Sequence, residues 1–235
     1  MSNALVLNKI YNEDCMVGMK SMPTLSVDMT LTDIPYGEIR PVGSIEREKA
    51  PGSIRIQDKG TAGEITFDTT EFLEQVSRVT RGGIYIFCGI EQLNVIHDYF
   101  KSRHKDFMVR QCAWKKTNPS TMAGEHMWLS SFENCVFAKR RCTKFHARCK
   151  SAVWEFPTGR GKTHPTEKPL KLFEYLIRAS SDVGDIVFDP CIGSGTTAIA
   201  ALNTGRKYLG YEVYKEYYDM AANRIETHEM SELWG

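Results

Sequence analysis

Short continuous hydrophobic runs alternate along the chain with hydrophobic residues at helical spacing, and this alternation predicts an α/β fold. The continuous runs predict strands over 27–33, 84–88, 107–114, 134–138, 186–189 and 208–212. The helical spacings predict helices over 69–80, 91–101, 168–180, 196–205 and 214–227. Strands that alternate with helices predict a mostly parallel sheet with helices on both faces.

The length and composition are typical of one soluble domain, since the 235 residues are 42% hydrophobic. No hydrophobic run approaches the ~20 residues that span a membrane, and the first residues are too polar for a signal peptide. We therefore expect a cytoplasmic protein with no membrane partner. Its seven cysteines are an odd, scattered set, which favours reduced thiols over a disulfide framework.

Charge is segregated along the chain although the net charge is only +1. Residues 101–171 contain sixteen Lys and Arg against five Asp and Glu, a local charge of +11, and the remainder is acidic. A basic segment on an acidic body is an electrostatic pattern that suits a polyanion such as DNA.

Residues 37–66 contain five glycines and two prolines and no regular hydrophobic pattern. A segment of this length and composition predicts a mobile loop, and such loops often have a binding role.

A glycine-rich turn follows the predicted strand 186–189 and precedes a predicted helix. Backbone N–H groups at a helix start bind polar or anionic groups, but no lysine follows the glycines as in a phosphate-binding loop. Glu212 ends the next predicted strand, where a carboxylate can accept hydrogen bonds from two ribose hydroxyls. This pairing favours a nucleoside ligand, and a plain tight turn with a surface glutamate is the alternative.

Asp33, Ile34, Pro35 and Tyr36 follow the predicted strand 27–33, at a sheet edge where α/β proteins bind ligands. Asp33 and the carbonyl of Ile34 can each accept one hydrogen of an exocyclic amine, and Tyr36 can stack on the base. Pro35 biases the preceding residue toward extended geometry. These residues are the predicted catalytic set.

In its order of motifs the chain resembles the beta group of DNA amino-methyltransferases. DIPYG is similar to the family's DPPYG, THPTEKP (163–169) to its HPTQKP, and residues 188–212 to its cofactor-binding stretch. The resemblance implies one Rossmann-like methyltransferase domain over 1–235, with a mostly parallel seven-stranded sheet. It also implies the cofactor S-adenosylmethionine and base flipping.

The resemblance assigns two groups of residues to the cofactor. The glycine-rich turn and the following strand supply Asp189, Pro190, Cys191, Gly193, Ser194, Gly195, Thr196 and Glu212. The loop before the predicted helix 168–180 supplies His164, Thr166 and Lys168.

Two residues depart from the family pattern. Ile34 stands in place of the first proline, and Cys191 stands where the family usually has Phe. Pro35 should still hold the Ile34 carbonyl in place, and a small thiol at 191 is typical of packing.

The leading functional hypothesis is methyl transfer to N6 of adenine in DNA. The sequence does not determine whether a restriction nuclease is paired with the protein in a restriction-modification system. Cytosine-N4 methylation is the nearest alternative, although the family's cytosine enzymes generally carry Ser at the position of Asp33. An inactive DNA-binding relative is a second alternative, and Ile34 is its only support.

A short basic insert, residues 139–163, stands where the family usually has a target-recognition region. It predicts contacts with DNA phosphates and a short or relaxed recognition sequence. A homodimer is a further alternative to a monomer. Its basic residues are Arg140, Arg141, Lys144, Arg148, Lys150, Arg160 and Lys162.

Two further groups of residues have alternative interpretations. Cys135, Cys142, His146 and Cys149 lie within fifteen residues, but their spacing is not that of a usual zinc site, so we expect no metal. The tryptophans at 114, 128 and 154 could stack on bases, although core packing is expected for most of them.

Overall fold

The computed structural model describes residues 5–35, 68–121, 124–159 and 168–234, with side chains described to 231. The predicted loop 37–66, the catalytic candidate Tyr36 and the cofactor candidates His164 and Thr166 lie outside the described residues. Arg160 and Lys162 of the basic insert also lie outside them.

One sheet organises the described residues. Its strands are β1 (Lys9–Tyr11), β2 (Met29–Asp33), β3 (Gly83–Cys88), β4 (Phe107–Lys116), β5 (Phe132–Arg140), β6 (Val153–Phe156), β7 (Ile186–Asp189) and β8 (Lys207–Tyr211). Their spatial order is β1-β8-β7-β2-β3-β5-β4-β6, and β5 alone among them runs antiparallel to its neighbours. The predicted mostly parallel sheet is confirmed.

The sheet has eight strands where seven were expected. The pattern of hydrophobic residues did not predict the two edge strands β1 and β6, which have three and four residues. Strands this short cannot display a period, and they form because the neighbouring strands offer unpaired backbone groups.

Helices cover both faces, as predicted. They are α1 (Cys15–Ser21), α2 (Thr69–Val79), α3 (Ile90–Ser102), α4 (Leu170–Ser180), α5 (Thr196–Asn203) and α6 (Lys215–Trp234). The core on one face contains residues of α1, α2 and α3, and the core on the other contains residues of α4, α5 and α6. The Asp68 side chain accepts hydrogen bonds from the backbone N–H groups of Thr70 and Glu71 and so caps α2.

The chain reverses its direction of travel across the sheet between β2 and β7. From β2 it continues to β3, whereas from β7 it continues to β8 on the other side, and β2 and β7 are hydrogen-bonded neighbours. Open α/β sheets bind ligands at such a switch point, beside the carboxyl ends of the strands. Asp33 ends β2 and Asp189 ends β7, so the fold brings the two predicted motifs together.

The first part of the basic insert lies at the amino ends of the parallel strands, opposite the end that carries Asp33 and Asp189. Because β5 is antiparallel, Lys139 pairs with Gly83 at the start of β3, and Arg140 is about 27 Å along the strand from Phe132.

These basic side chains bind other parts of the chain. Arg140 donates to the carbonyls of Ser77 (2.6 Å) and Thr80 (3.0 Å), and Arg141 donates to the carbonyl of His104 (2.8 Å). Lys144 pairs with Asp182. The phosphate contacts of Arg140, Arg141 and Lys144 stay a prediction, and in the folded chain each of these side chains has a partner at the amino ends of the parallel strands.

The remaining structural expectations concern membranes and metals. No helix within the described ranges combines the length and the apolar character needed to cross a membrane. Cys135 is buried in β5 while Cys142 and Cys149 are exposed, and across the described residues no three His, Cys, Asp or Glu side chains converge as a metal site.

Replacing Arg140 by Ala should lower the free energy of unfolding by about 1–3 kcal/mol, because two carbonyls lose a charged donor. Arg148 is exposed in the same insert, and Arg148→Ala is the matched control, with an expected change within about 0.5 kcal/mol. Urea denaturation of the two variants measures both values. Equal stability of the two variants would contradict the structural role of Arg140.

Candidate functional site

Asp33 and the two residues after it form a turn that neighbouring strands and helices fix. The Ile34 N–H donates to the carbonyl of Phe87 on β3 (3.2 Å), and the Ile34 side chain is buried. The carbonyl of Pro35 accepts from the amide of Gln92 in α3 (3.0 Å). Ile34 thus contributes a buried anchor where the family has proline. The sequence analysis did not identify Gln92.

Lys168 lies between two carboxylates. Its ammonium is 2.5 Å from Asp33 and 2.9 Å from Glu133, the second residue of β5. Glu133 also pairs with Lys116 at the end of β4 (2.9 Å). The Lys168 side chain is only 5% exposed, so the pairs are largely screened from water.

The charges of this cluster stabilise one another. Burial disfavours the charged form of Lys168, but Asp33 and Glu133 outweigh it and raise the pKa of Lys168. Burial acts against ionised Glu133 as well, yet Lys168 and Lys116 lower the pKa of Glu133 below its usual range. Lys168 and Glu133 are therefore charged at neutral pH.

Lys168, which the resemblance assigned to the cofactor, contacts Asp33 of the predicted catalytic set. Glu133 was not predicted, because nothing in the local sequence pairs it with Asp33.

Asp189 anchors the glycine-rich turn from within the core. Its carboxylate accepts hydrogen bonds from the Thr197 hydroxyl (2.5 Å) and from the backbone N–H of Cys191 (3.0 Å). Pro190 lies between Asp189 and Cys191 in the sequence. Burial raises the pKa of Asp189 from its ordinary 3.8 to about 7. The position of Asp189 indicates that it shapes the turn around a ligand.

Glu212 faces the turn at the point where β8 ends. Its two carboxylate oxygens accept from the backbone N–H groups of Gly193 (3.0 Å) and Tyr214 (2.9 Å). Burial raises the pKa of the Glu212 carboxyl. The backbone around Glu212 is held by Asn12, whose amide donates to the Glu212 carbonyl (2.9 Å). Each carboxylate oxygen has a further lone pair and can accept from a ribose hydroxyl.

The glycines of the turn leave room for a ligand. Gly193 has φ +51°, and a Cβ built there would find its nearest neighbour, the carbonyl of Cys191, at 4.0 Å. Open space therefore lies beside the Glu212 carboxylate. Gly195 has φ +83° and lies close to Ala221, so its small size permits the approach of α6. The turn and its carboxylate fit the nucleoside part of S-adenosylmethionine.

The other residues of the motif are buried or in contact with helices. Ser194 and Thr196 lie against α6, where the Arg224 guanidinium donates to the Ser194 carbonyl (3.0 Å) and the Thr196 hydroxyl (3.1 Å). Cys191 lies beside Cys15, and the hydrogen bond between these thiols together with burial raises the pKa of Cys191. These contacts favour roles in shaping the turn.

Comparisons with known proteins agree with this geometry. A family described as "DNA methylase" matches residues 138–223. The Type II methyltransferase M.HinfI of Haemophilus influenzae is 26% identical, over 93% of this chain and 68% of that protein. The DNA adenine methyltransferase YhdJ of Escherichia coli K12 is 42% identical over 87 residues, which are 35% of this chain and 30% of that protein.

Among solved structures, the M1.HpyAVI complex with SAM superposes with a TM-score of 0.68 at 25% identity. The match covers 92% of this chain and 98% of that one. The expected fold class is thus confirmed over almost the whole chain.

The raised pKa of Asp189 predicts a stability that falls as the pH rises. Between pH ~4 and ~7 the unfolded chain loses this proton before the folded chain does, so the unfolding free energy declines there and then levels off. The decline should be on the order of a few kcal/mol. Denaturation of wild type and Asp189→Asn across this range, without cofactor, isolates the contribution. Parallel stability curves for the two proteins would refute it.

Proposed function

We propose that this chain, a DNA amino-methyltransferase of the beta group, transfers a methyl group from S-adenosylmethionine to N6 of adenine in DNA. One observation carries the proposal. Asp33 ends β2, and the turn that faces Glu212 begins at the end of the adjacent strand β7. A carboxylate that can accept a hydrogen bond from the target amine and a site for the nucleoside of the cofactor therefore lie at the carboxyl ends of neighbouring strands. Methyl transfer requires this arrangement.

Asp33 acts on the target amine. Its carboxylate accepts one N–H of the amine, and the carbonyl of Ile34 accepts the other, which localises the nitrogen lone pair toward the methyl group. Gln92 and Phe87 hold the backbone of this turn, so the acceptors are oriented before the base arrives. As the nitrogen–carbon bond forms, the bond between the methyl carbon and the cofactor sulfur would break and leave a neutral thioether. The methylated amine would then carry a positive charge and lose one proton to water. The nearby Asp33 carboxylate stabilises that charge.

The turn and Glu212 hold the cofactor. S-adenosylmethionine supplies an electrophilic methyl group on a positively charged sulfur. Glu212 accepts hydrogen bonds from the ribose hydroxyls, and the absence of a side chain at Gly193 lets the ligand approach the backbone closely. Asp189 maintains the turn through Thr197 and Cys191, and Ser194 and Thr196 maintain it through Arg224.

Glu133 and Lys168 position Asp33. When an amine donates to Asp33, Lys168 must share that carboxylate or release it. Glu133 offers Lys168 a second acid partner, so its buried charge does not remain alone during this exchange. Lys116 supports Glu133 from the next strand.

Adenine is favoured over cytosine by two observations. The chain carries Asp33 where the family's cytosine enzymes generally carry Ser, and the relative YhdJ is a DNA adenine methyltransferase. The similarity to Type II methyltransferase M.HinfI supports a role in DNA modification. Sequencing DNA for modified bases, after expression of the protein, tests both the base and its context.

Two further aspects belong to the proposal. A cytoplasmic location follows from a DNA substrate in a bacterial cell, since the relatives are bacterial proteins. A homodimer would add DNA contacts that the short insert lacks, and sedimentation with and without DNA tests it.

Two substitutions should separate the halves of the site. Asp33→Ala should abolish methyl transfer and leave the cofactor dissociation constant within about twofold. Glu212→Ala should weaken cofactor binding by about tenfold or more, since about 1.4 kcal/mol of hydrogen bonding corresponds to tenfold. Tritium transfer to DNA and calorimetry measure the two effects. Wild-type turnover by Asp33→Ala would exclude its catalytic role.

Replacing Glu133 by Gln should lower kcat by about tenfold or more, because Lys168 then competes with the amine for Asp33. Cofactor affinity should stay constant, and Glu133→Asp should restore part of kcat. The exposed pair of Lys115 and Glu155 provides the control Glu155→Gln, which should leave kcat unchanged. Equal kcat in the Glu133→Gln and Glu155→Gln variants would contradict the positioning role.

A further inference from the structure

The loop that joins β4 to β5 is described over residues 117–121 and 124–131, and it leaves the sheet at the same end of the strands as Asp33. Its last residues lead directly into β5, where Asn134 pairs with Cys88 at the carboxyl end of β3. Glu133, two residues after the loop, reaches Asp33 through Lys168. The β4–β5 loop is therefore continuous with the proposed catalytic site.

The base of the loop is firmly attached. The backbone N–H of Lys116 donates to the carbonyl of Ser131 (2.7 Å), which extends the hairpin ladder. The Asn118 side chain accepts from the backbone N–H of Thr158 (2.6 Å) and from its hydroxyl (3.0 Å), which ties the loop to the chain after β6. An attached base can present the tip of the loop at a defined place.

The tip of this loop exposes large hydrophobic side chains. Trp128 is 96% exposed and Met127 is 69% exposed, whereas Trp114 and Trp154 are buried at 2% and 8%. Core positions were expected for most of these tryptophans, and the structure buries Trp114 and Trp154 and leaves Trp128 in solvent. An exposed indole on a loop that leads into the proposed catalytic site is suited to contact a partner molecule.

The target base must leave the double helix to reach Asp33. The Asp33 side chain is only 28% exposed, and it pairs with the buried Lys168, which also pairs with Glu133. Enzymes that modify such bases extrude them, and the loss of stacking costs a few kcal/mol. A side chain inserted into the vacated position recovers part of that cost, and aromatic rings stack on bases of any sequence.

We propose that Trp128 inserts into the DNA base stack at the position that the extruded adenine vacates. This inference rests on the proposed function and adds the element that promotes base extrusion. The five Cα–Cα steps from Trp128 to Glu133 span at most about 18 Å. The indole can therefore enter the duplex while Asp33 receives the base.

The test compares two duplexes that carry the methylated sequence, once modified-base sequencing has identified it. In one the target adenine faces thymine, and in the other it faces an abasic position, so it is already poorly stacked. Trp128→Ala should lower kcat/KM by at least about tenfold on the first duplex and by less than about threefold on the second. Trp128→Phe should retain most activity on both.

Two controls accompany the test. Val183 is 76% exposed between α4 and β7, at the edge opposite Asp33, and Val183→Ala should match wild type on both duplexes. Calorimetry should give Trp128→Ala the cofactor affinity of wild type. Sedimentation of Trp128→Ala should give the oligomeric state of wild type.

Each remaining outcome is decisive. An equal loss on both duplexes, or no loss on either, overturns the role of Trp128 in extrusion. A changed oligomeric state with unchanged kcat/KM assigns Trp128 to an interface between copies and also overturns it. Modified-base sequencing that finds no methylated adenine overturns the proposed function itself, and that result is distinct from the others.

Discussion

The buried ammonium of Lys168 is the interaction on which the site depends. A charge removed from water needs opposite charge close by, and Lys168 finds it in Asp33 on β2 and Glu133 on β5. Separating the carboxyl end of β2 from the amino end of β5 would leave a buried charge with too few partners. The start of α4, which Lys168 precedes, is therefore tied to the strands that carry the two acids.

The order of the strands divides the sheet edge into two halves. Glu212 follows β8 and Asp189 ends β7, and the proposed nucleoside site lies there. Asp33 ends the next strand, β2, and Glu133 with the β4–β5 loop lies beyond β3. Asp33 thus lies between the cofactor half and the half through which we propose that DNA approaches. The topological switch between β2 and β7 creates this division.

Local patterns predicted most strands and helices, but they did not predict the edge strands or the partners that basic side chains bind within the fold. The core strands and most helices were predicted because each buries a continuous or periodic hydrophobic surface. The edge strands β1 and β6 were missed because a few residues show no period. Arg140 was expected to contact phosphate, yet it binds the Ser77 and Thr80 carbonyls at the far edge, because the direction of β5 is a tertiary property.

The sequence by itself determined the fold class and the two motifs, because glycine, proline and acidic residues at fixed spacings have local geometric meanings. The order of these motifs carried the resemblance to a family. Only the tertiary structure paired Lys168 with both Asp33 and Glu133. It also decided that Gln92 donates to the carbonyl of Pro35 and that Trp128 is exposed to solvent. These relations join residues far apart in sequence, or depend on which side chains the fold leaves uncovered. Burial and long-range charge pairing arise from packing of the whole chain, so local pattern cannot predict them.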